Sequence, residues 1–268
     1  MRESGILMHI TSLPTSYGIG TMGKDAYAFV DFLVRAGQRY WQILPLTPTG
    51  YGDSPYQSLG ACAGNHYLID LDRLADEGLL KKEEIQNIPW GSNPARVDFG
   101  AMYAHRMNVL RLAFQRFAPD EAYETFVEQN RSWLEDYALF TALKDTLGGK
   151  PWLDWPEALR LRKADALTEK RRELSDEIRL QYFVQYEFDR QWKALRSYAN
   201  AKGVRIIGDV PIYVPLDSAD VWANPELFQL DESRHPEQVA GCPPDSFTAD
   251  GQLWGNPLYN WPYHKQTG

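Results

Sequence analysis

Carboxylate, amide, hydroxyl and aromatic side chains concentrate in three stretches of this sequence where turn residues end or interrupt apolar segments. The first stretch runs from Gly203 to Val214, where β-branched residues after Gly203 predict a buried strand and Pro211 marks the end of its pairing. This strand would deliver Asp209 near its carboxyl end. In a barrel of alternating strands and helices, that end carries the catalytic groups. The alternative is that Asp209 only stabilises the turn before Pro211.

The second stretch, residues 47–67, is the longest segment without a helical period. A loop of this length inside a compact domain is more often functional than idle. It offers aromatic faces and groups that can bind hydroxyls, namely Tyr51, Asp53, Ser54, Tyr56 and Gln57. The loop therefore suits a sugar ligand, although its Gly and Pro content also fits a simple connector.

The third stretch, residues 242–257, contains Trp254 followed by Gly255, Asn256 and Pro257. These neighbours predict a tryptophan held by turns in a loop. A loop tryptophan beside the Asn256 amide is a suitable platform for a sugar ring. The alternative is that Trp254 fills the seam between two subdomains.

The composition narrows the possible partners. The chain has 268 residues, is 44% apolar and carries a formal charge of −8 without a basic block, so it can bury a large core and is not suited to nucleic acid or an anionic membrane. Nine Trp and fifteen Tyr indicate a large aromatic core or sugar-stacking surfaces. Two cysteines predict neither a disulfide framework nor a metal site. The six apolar residues from Gly5 to Ile10 are too few for a signal peptide or a membrane span, which predicts a cytoplasmic protein.

The N-terminal third predicts a strand, a helix and a second strand. The strands are Ile6 to Ile10 and Tyr40 to Leu46, and Gly37 closes the helix between them. Such a βαβ unit is parallel and right-handed. His9, at the end of the first strand, is interpreted as a structural histidine. The alternative is that it approaches the site.

Helical periodicity then dominates from residue 71 to about residue 200. Two apolar stripes mark core faces: Met107, Leu110, Phe114 and Phe117, and Trp133, Tyr137, Phe140 and Leu147. A long helix carrying Leu180 and Leu195 then leads to the Gly203 strand. This order of elements predicts three parts of the chain. Residues 1–71 contain two strands and the substrate loop, and residues 72–166 form a mainly helical inserted subdomain. Residues 167–268 contain the return helix, the third strand and the acceptor-side loop.

Several motifs in this order resemble the 4-α-glucanotransferases, also called amylomaltases or disproportionating enzymes. They are Ser12-Leu13-Pro14, Gly18-Ile19-Gly20, Gly37 to Gln42, Gly50 to Ser58, Gly208 to Val214 and Trp254 to Tyr259. The resemblance covers almost the whole chain. Thr21 stands where the family pattern has Asp, and Ser246 stands where it has an aromatic, which puts one stacking contact in doubt.

The resemblance implies an α/β fold, a (β/α)8 TIM barrel of which only the first strands are present, with the helical subdomain between strands 2 and 3. It also implies transfer of α-1,4-glucan segments between maltooligosaccharides by a retaining double displacement, which needs two carboxyl groups about 5 Å apart. The nucleophile of the family lies in an Arg-Ile-Asp-His-type motif at the fourth strand, and the chain has no such motif. Nucleophile and acid are thus expected beyond Gly268, in a chain that looks truncated.

The family roles pass to individual residues by resemblance. Asp209 becomes a supporting carboxylate of the active-site floor and Tyr56 the ring that stacks on the sugar beside the cleaved bond. Asp53, Ser54 and Gln57 support that loop or bind hydroxyls, and Tyr51 belongs to a secondary glucan site. Trp254 and Asn256 cover the acceptor side.

No cofactor or metal motif is present in the sequence, and neither the oligomeric state nor the preferred glucan length follows from it. Two alternatives to a transferase remain. One is an α-glucan hydrolase on the same scaffold, and the other is a glucan-binding fragment without catalysis.

Overall fold

Three short segments at the positions predicted for strands form a parallel sheet in the computed structural model, which describes residues 2–50, 52–93 and 95–267. The strands are β1 (Gly5–Leu7), β2 (Tyr40–Gln42) and β3 (Arg205–Ile207) in the order β1-β2-β3. Gly5 pairs with Tyr40, which pairs with Arg205. Each strand is shorter than predicted, because the chain turns into a single 3-10 turn at Ile10–Ser12 and reaches prolines after β2 and β3.

Ten helices and a hairpin account for most of the remaining regular structure that is described. The helices are α1 (Lys24–Arg35), α2 (Leu71–Asp76), α3 (Lys82–Gln86), α4 (Phe99–Arg116), α5 (Glu121–Thr146), α6 (Glu157–Arg160), α7 (Ala164–Glu173), α8 (Ser175–Ala201), α9 (Ala219–Ala223) and α10 (Trp261–Thr267). The hairpin pairs β4 (Val239–Cys242) with β5 (Gln252–Pro257) in antiparallel fashion.

The chain divides into two compact units. Unit 1 comprises residues 1–48, 64–129 and 182–210 and contains the parallel sheet. Unit 2 comprises residues 49–63, 130–181 and 211–268 and contains the hairpin.

Two helices end with the same type of cap and lead into neighbouring strands of the sheet. After α1, Gly37 has a φ of 68°, and its N–H and that of Gln38 bond to the carbonyls of Val34 and Leu33. After α8, Gly203 has a φ of 77°, and its N–H and that of Val204 bond to the carbonyls of Asn200 and Ala199. Both are Schellman caps, in which glycine adopts the left-handed conformation at no steric cost. The predicted helix stops at Gly37 and Gly203 are therefore confirmed.

The prediction of a buried third strand is wrong. Arg205 and Ile207 are exposed, Ile206 is half-buried, and the side chain of Val210 is 71% exposed. Within the described residues β3 lies at an edge of the sheet and has β2 on one side only. Only Val204, immediately before the strand, is fully buried.

The core of unit 1 forms where α1 and the C-terminal part of α8 cover the sheet. Trp41 of β2 is completely buried, and its indole N–H donates to the carbonyl of Met8 at 2.7 Å. Buried apolar side chains surround it, including Ile10, Met22, Leu33, Leu195 and Val204. A tryptophan buried with its N–H satisfied is stabilising, because the large apolar area is removed from water without an unpaired donor.

The buried face of α4 differs from the predicted stripe. Of the four predicted residues only Leu110 is fully buried, and the buried face also contains Met102, Arg106, Val109 and Ala113. Arg106 enters this face because its guanidinium donates to the carbonyls of Tyr67 and Ile69. Burial lowers the pKa of Arg106 to about 10, so it remains a cation at neutral pH.

The core of unit 2 is aromatic, as the stripe on α5 predicted. Tyr137 and Phe140 are buried, and Trp133 and Leu147 pack against the same cluster. Phe140, Trp155 and Trp222 form mutual ring contacts with centroids 5.4–5.8 Å apart. Much of the high tryptophan content therefore serves packing and not ligand binding.

Candidate active-site loops

The loop at residues 49–58 is a closed turn structure within unit 2. Thr49 and Ser58 form an antiparallel bridge, and the Gly50 N–H donates to the Gln57 carbonyl at 2.8 Å. The chain reverses through Gly52 with a φ of 91° and Asp53 with a φ of 57°. Aspartate tolerates this left-handed conformation better than most residues do, which accounts for its place in the turn.

Three of the predicted binding residues of this loop, Ser54, Tyr56 and Gln57, lie on one turn. The N–H of Gln57 donates to the Ser54 carbonyl at 3.1 Å, and the N–H of Tyr56 donates to the Ser54 hydroxyl at 3.3 Å. Ser54 thus shapes the backbone that presents Tyr56, whose side chain is 43% exposed. Tyr51, predicted at a secondary glucan site, lies outside the described residues.

Residues that the sequence analysis missed hold the end of the loop. The buried Ser58 hydroxyl donates to the Gly60 carbonyl and accepts from the Gly60 N–H. Asp220 of α9 accepts a hydrogen bond from the Ala61 N–H at 2.9 Å, and burial raises the pKa of its carboxyl group. Asp220 lies 159 residues from Ala61 in the chain, so no local sequence signal could reveal this contact.

Asp209 lies in unit 1, two residues after β3. It is exposed, and its carboxylate accepts the N–H of Val210 at 2.8 Å. The carboxylate therefore follows the strand's carboxyl end, where it was predicted, but on an exposed segment. Its bond to Val210 also agrees with the alternative that it stabilises the turn before Pro211.

Trp254 and Asn256 lie on β5, which differs from the predicted loop. The strand is interrupted by a register shift opposite Val239 and Gly241, and Gly255 has a φ of 78°. A residue in this conformation within a strand bends it and changes the direction of its side chains. Trp254 is 45% exposed, whereas Asn256 is 5% exposed and contributes mainly to the interior of unit 2.

The indole of Trp254 belongs to a chain of aromatic contacts in unit 2. Its N–H donates to the Gln252 side-chain oxygen at 3.0 Å, and its ring lies 6.1 Å from that of Tyr213. Tyr213 stacks on Tyr259 with an interplanar angle of 17°, and Tyr259 stacks on buried Phe228. Sequence periodicity cannot reveal this cluster, since its members come from separate segments.

The loop between β4 and β5 exposes an aromatic residue next to the position where one was missing. The Asp245 carboxylate accepts from the N–H groups of Thr248 and Phe247, and these bonds hold its pKa below the usual value. Ser246 lies inside this turn, while Phe247 is 91% exposed. An aromatic face is therefore still present in this loop.

Two positions singled out in the sequence have structural roles in unit 1. The Nδ1 atom of His9 accepts the Leu44 N–H at 3.3 Å, and burial lowers the His9 pKa to about 4, which keeps the ring neutral. The buried Thr21 hydroxyl donates to the Asp70 carboxylate at 2.6 Å. An aspartate at position 21 would instead bring a second carboxylate to Asp70, so threonine suits this environment.

Among the described residues, no group of three or more His, Cys, Asp and Glu side chains is arranged to hold a metal ion. None of the helices described is both long and apolar enough to cross a membrane.

Comparisons with known proteins show which family this chain is similar to. A family model described as 4-alpha-glucanotransferase matches residues 8–268. The chain is 51% identical over 273 residues to the 4-alpha-glucanotransferase of Thermus thermophilus, and 49% identical over 263 residues to that of Clostridium butyricum. These matches cover 100% and 97% of this chain, respectively, and 54% of each relative.

The solved structure of amylomaltase from Streptococcus agalactiae in complex with acarbose superimposes on this chain with a TM-score of 0.96 at 49% sequence identity. The match covers 100% of this chain and 55% of the amylomaltase chain. The α/β fold is thus that of an amylomaltase. The chain spans about half the length of the curated relatives it matches. On the family match across residues 8–268, the chain belongs to the 4-α-glucanotransferase family.

Proposed function

We propose that residues 1–268 supply the glucan-binding part of a 4-α-glucanotransferase, which moves α-1,4-glucan segments between maltooligosaccharides with retention at the anomeric carbon. The observation that carries the proposal is the family match across residues 8–268. The acarbose complex of the Streptococcus agalactiae amylomaltase supports it, since that relative binds a sugar-like ligand on the same fold.

The architecture we propose is the beginning of a (β/α)8 barrel. The strands β1, β2 and β3 would be three neighbouring strands of the barrel, because they are parallel, adjacent and joined through helices. Residues 72–166 would form the helical insertion between the second and third strands. Residues 1–71 and 167–268 would carry the strands and the substrate loops.

In the active site of the proposed glucanotransferase, Asp209 is the supporting carboxylate of the active-site floor. Its position after the carboxyl end of β3 is the end at which barrel enzymes carry their chemistry. A negative charge there would favour the oxocarbenium-like transition state, whose positive charge develops as the glycosidic bond breaks. The nucleophile and the general acid would come from other segments of the full-length enzyme.

The aromatic residues would bind the sugar rings. Tyr56 is half-exposed on a turn closed by backbone hydrogen bonds, so its ring is presented at low conformational cost. Trp254 would stack on the acceptor. Asp53, Ser54, Gln57 and Asn256 would shape these two elements or bind hydroxyls, and Tyr51 would serve a secondary glucan site.

The test is a product analysis of a full-length enzyme that contains residues 1–268. Incubation with maltotriose should yield glucose together with maltopentaose and longer chains, because transfer releases one product and lengthens another. Glucose and maltose without longer products would indicate a hydrolase. Maltotriose binding without any product would indicate a binding protein, and either result would overturn the proposed transferase.

A further inference from the structure

We propose that Tyr259 is a positioning residue for the acceptor site, which orients the indole of Trp254 by holding Tyr213 against it. This inference rests on the proposed function, in which Trp254 stacks on the acceptor sugar. All three residues belong to unit 2.

The first step is the contact between Trp254 and Tyr213. Their ring centroids are 6.1 Å apart with an interplanar angle of 52°, within the range of favourable aromatic pairs. Trp254 lies on a strand bent at Gly255 and is 45% exposed, so part of its surface is open to a ligand. Its hydrogen bond to Gln252 restrains the indole N–H, while Tyr213 restrains the tilt of the ring.

The second step is the support that Tyr259 gives to Tyr213. The two rings are stacked at 6.1 Å and 17°. The hydroxyl of Tyr259 also donates to the carbonyl of Ile212 at 2.9 Å, and Ile212 directly precedes Tyr213. Tyr259 therefore fixes both the ring of Tyr213 and the backbone from which that ring projects.

The third step is the anchoring of Tyr259 itself. Its ring stacks on buried Phe228 at 5.3 Å, and the two residues form an antiparallel bridge. The Gln229 side chain donates to the Tyr259 carbonyl at 3.0 Å. Tyr259 follows β5 by two residues, so it is attached through a short segment to the strand that carries Trp254. This arrangement makes it a rigid support.

A preorganised platform lowers the entropy lost when a sugar binds, so loss of the support should weaken acceptor binding more than it slows the chemistry. Stacking of aromatic pairs contributes about 0.5–1.5 kcal/mol, which corresponds to roughly two- to tenfold in the acceptor KM. Tyr259→Leu removes both supports. Tyr259→Phe keeps the ring and removes only the hydroxyl.

The experiment measures transfer from maltoheptaose to labelled maltose in the full-length enzyme, with acceptor KM and kcat determined separately. We expect Tyr259→Leu to raise the acceptor KM about two- to tenfold at nearly constant kcat, and Tyr259→Phe to give a smaller rise. Tyr198→Phe is the matched control, because it removes a hydroxyl that donates to Asp31 in unit 1. It should leave the acceptor KM unchanged.

A double-mutant cycle with Trp254→Ala separates positioning from general destabilisation, since residues that act through one another are not additive. The effects of Tyr259→Leu and Tyr259→Phe should disappear in the Trp254→Ala background. If they persist there, or if neither variant changes the acceptor KM while Trp254→Ala raises it, the positioning role is refuted and the role of Trp254 stands. If Trp254→Ala itself leaves the acceptor KM unchanged, the stacking role fails and the positioning role fails with it.

Discussion

Tyr56 presents its ring from a turn in the loop at residues 49–58, which backbone hydrogen bonds close. The turn places the ring in solvent, where a sugar can reach it, and the Ser54 hydroxyl accepts the Tyr56 N–H. When a pyranose covers a partly exposed aromatic ring, apolar area of both is removed from water, and this stabilises the complex. The residue's contribution should therefore come from its face.

The first prediction concerns this face. Tyr56→Ala in the full-length enzyme should lower kcat/KM on maltotriose about fivefold or more, since loss of ring stacking costs on the order of 1 kcal/mol. Tyr56→Phe keeps the ring and should stay close to the wild type. Steady-state kinetics of the two variants decide the matter, and equal losses would show that the hydroxyl is the important group.

The second prediction concerns the charge at Asp209. Asp209→Asn should lower kcat on the order of a hundredfold with little change in KM, because groups that stabilise transition-state charge act mainly on kcat. Asp176→Asn is the control, since Asp176 is an exposed carboxylate on α8. A raised KM with an unchanged kcat would mean that Asp209 binds a hydroxyl or holds the turn through Val210.

At the scale of elements, a charged pair ties α3 to α4 in unit 1. Both oxygens of Glu84 accept from the Arg116 guanidinium, at 2.6 and 2.7 Å, and one also accepts the Lys81 N–H. The hydrogen bond from Arg116, followed by that from Lys81, lowers the Glu84 pKa to about 2. The bidentate geometry uses the planar fork of arginine.

The third prediction is the pH dependence of this link. The Glu84 pKa lies below its unfolded value of 4.5, so the stabilisation is complete above about pH 4.5 and is lost as the pH falls towards 2. Glu84→Gln should therefore show a smaller loss of stability between pH 4.5 and 2 than the wild type. Thermal unfolding across this window measures it, with Glu83→Gln on the same helix as the control for net charge. Parallel curves for Glu84→Gln and the wild type would contradict the link.

At the scale of the whole molecule, two strands of the parallel sheet have a single partner among the described residues. β1 and β3 are the edges, and Leu7, Ile207 and Val210 expose apolar side chains beside them. Unpaired edges with apolar neighbours promote association. In the proposed barrel, further strands would cover them.

The fourth prediction follows for the polypeptide of residues 1–268 by itself. It should neither transfer nor hydrolyse α-1,4-glucans, because binding groups alone cannot replace a covalent intermediate and its acid catalyst. Incubation of a homogeneous preparation with maltotriose, followed by chromatography of the products, tests this. Sustained product formation would return attention to Asp53, Asp209 and Asp245 as candidate carboxyl groups.

Helix stops and strand starts could be predicted from the sequence because they depend on neighbouring residues. Gly37 and Gly203 end their helices by local hydrogen bonds and a left-handed φ, and β2 and β3 begin within three residues of them. The family could likewise be identified from the sequence, because each of its motifs is a short run of adjacent residues that can be read without knowing the fold. The aromatic stripe of α5 was predictable for the same reason of regular spacing.

Burial and long-range support were decided only by the tertiary structure. The sequence analysis expected the segment around Asp209 to be buried, but among the described residues β3 is an edge strand, and residues 207–210 are exposed. Arg106 is buried because backbone carbonyls of Tyr67 and Ile69, distant in sequence, accept its protons. Asp220 reaches Ala61, and Tyr259 reaches Ile212, across 159 and 47 residues, respectively. Sequence spacing reports which residues share a face of one element, whereas the partners that elements bring together depend on how the chain packs.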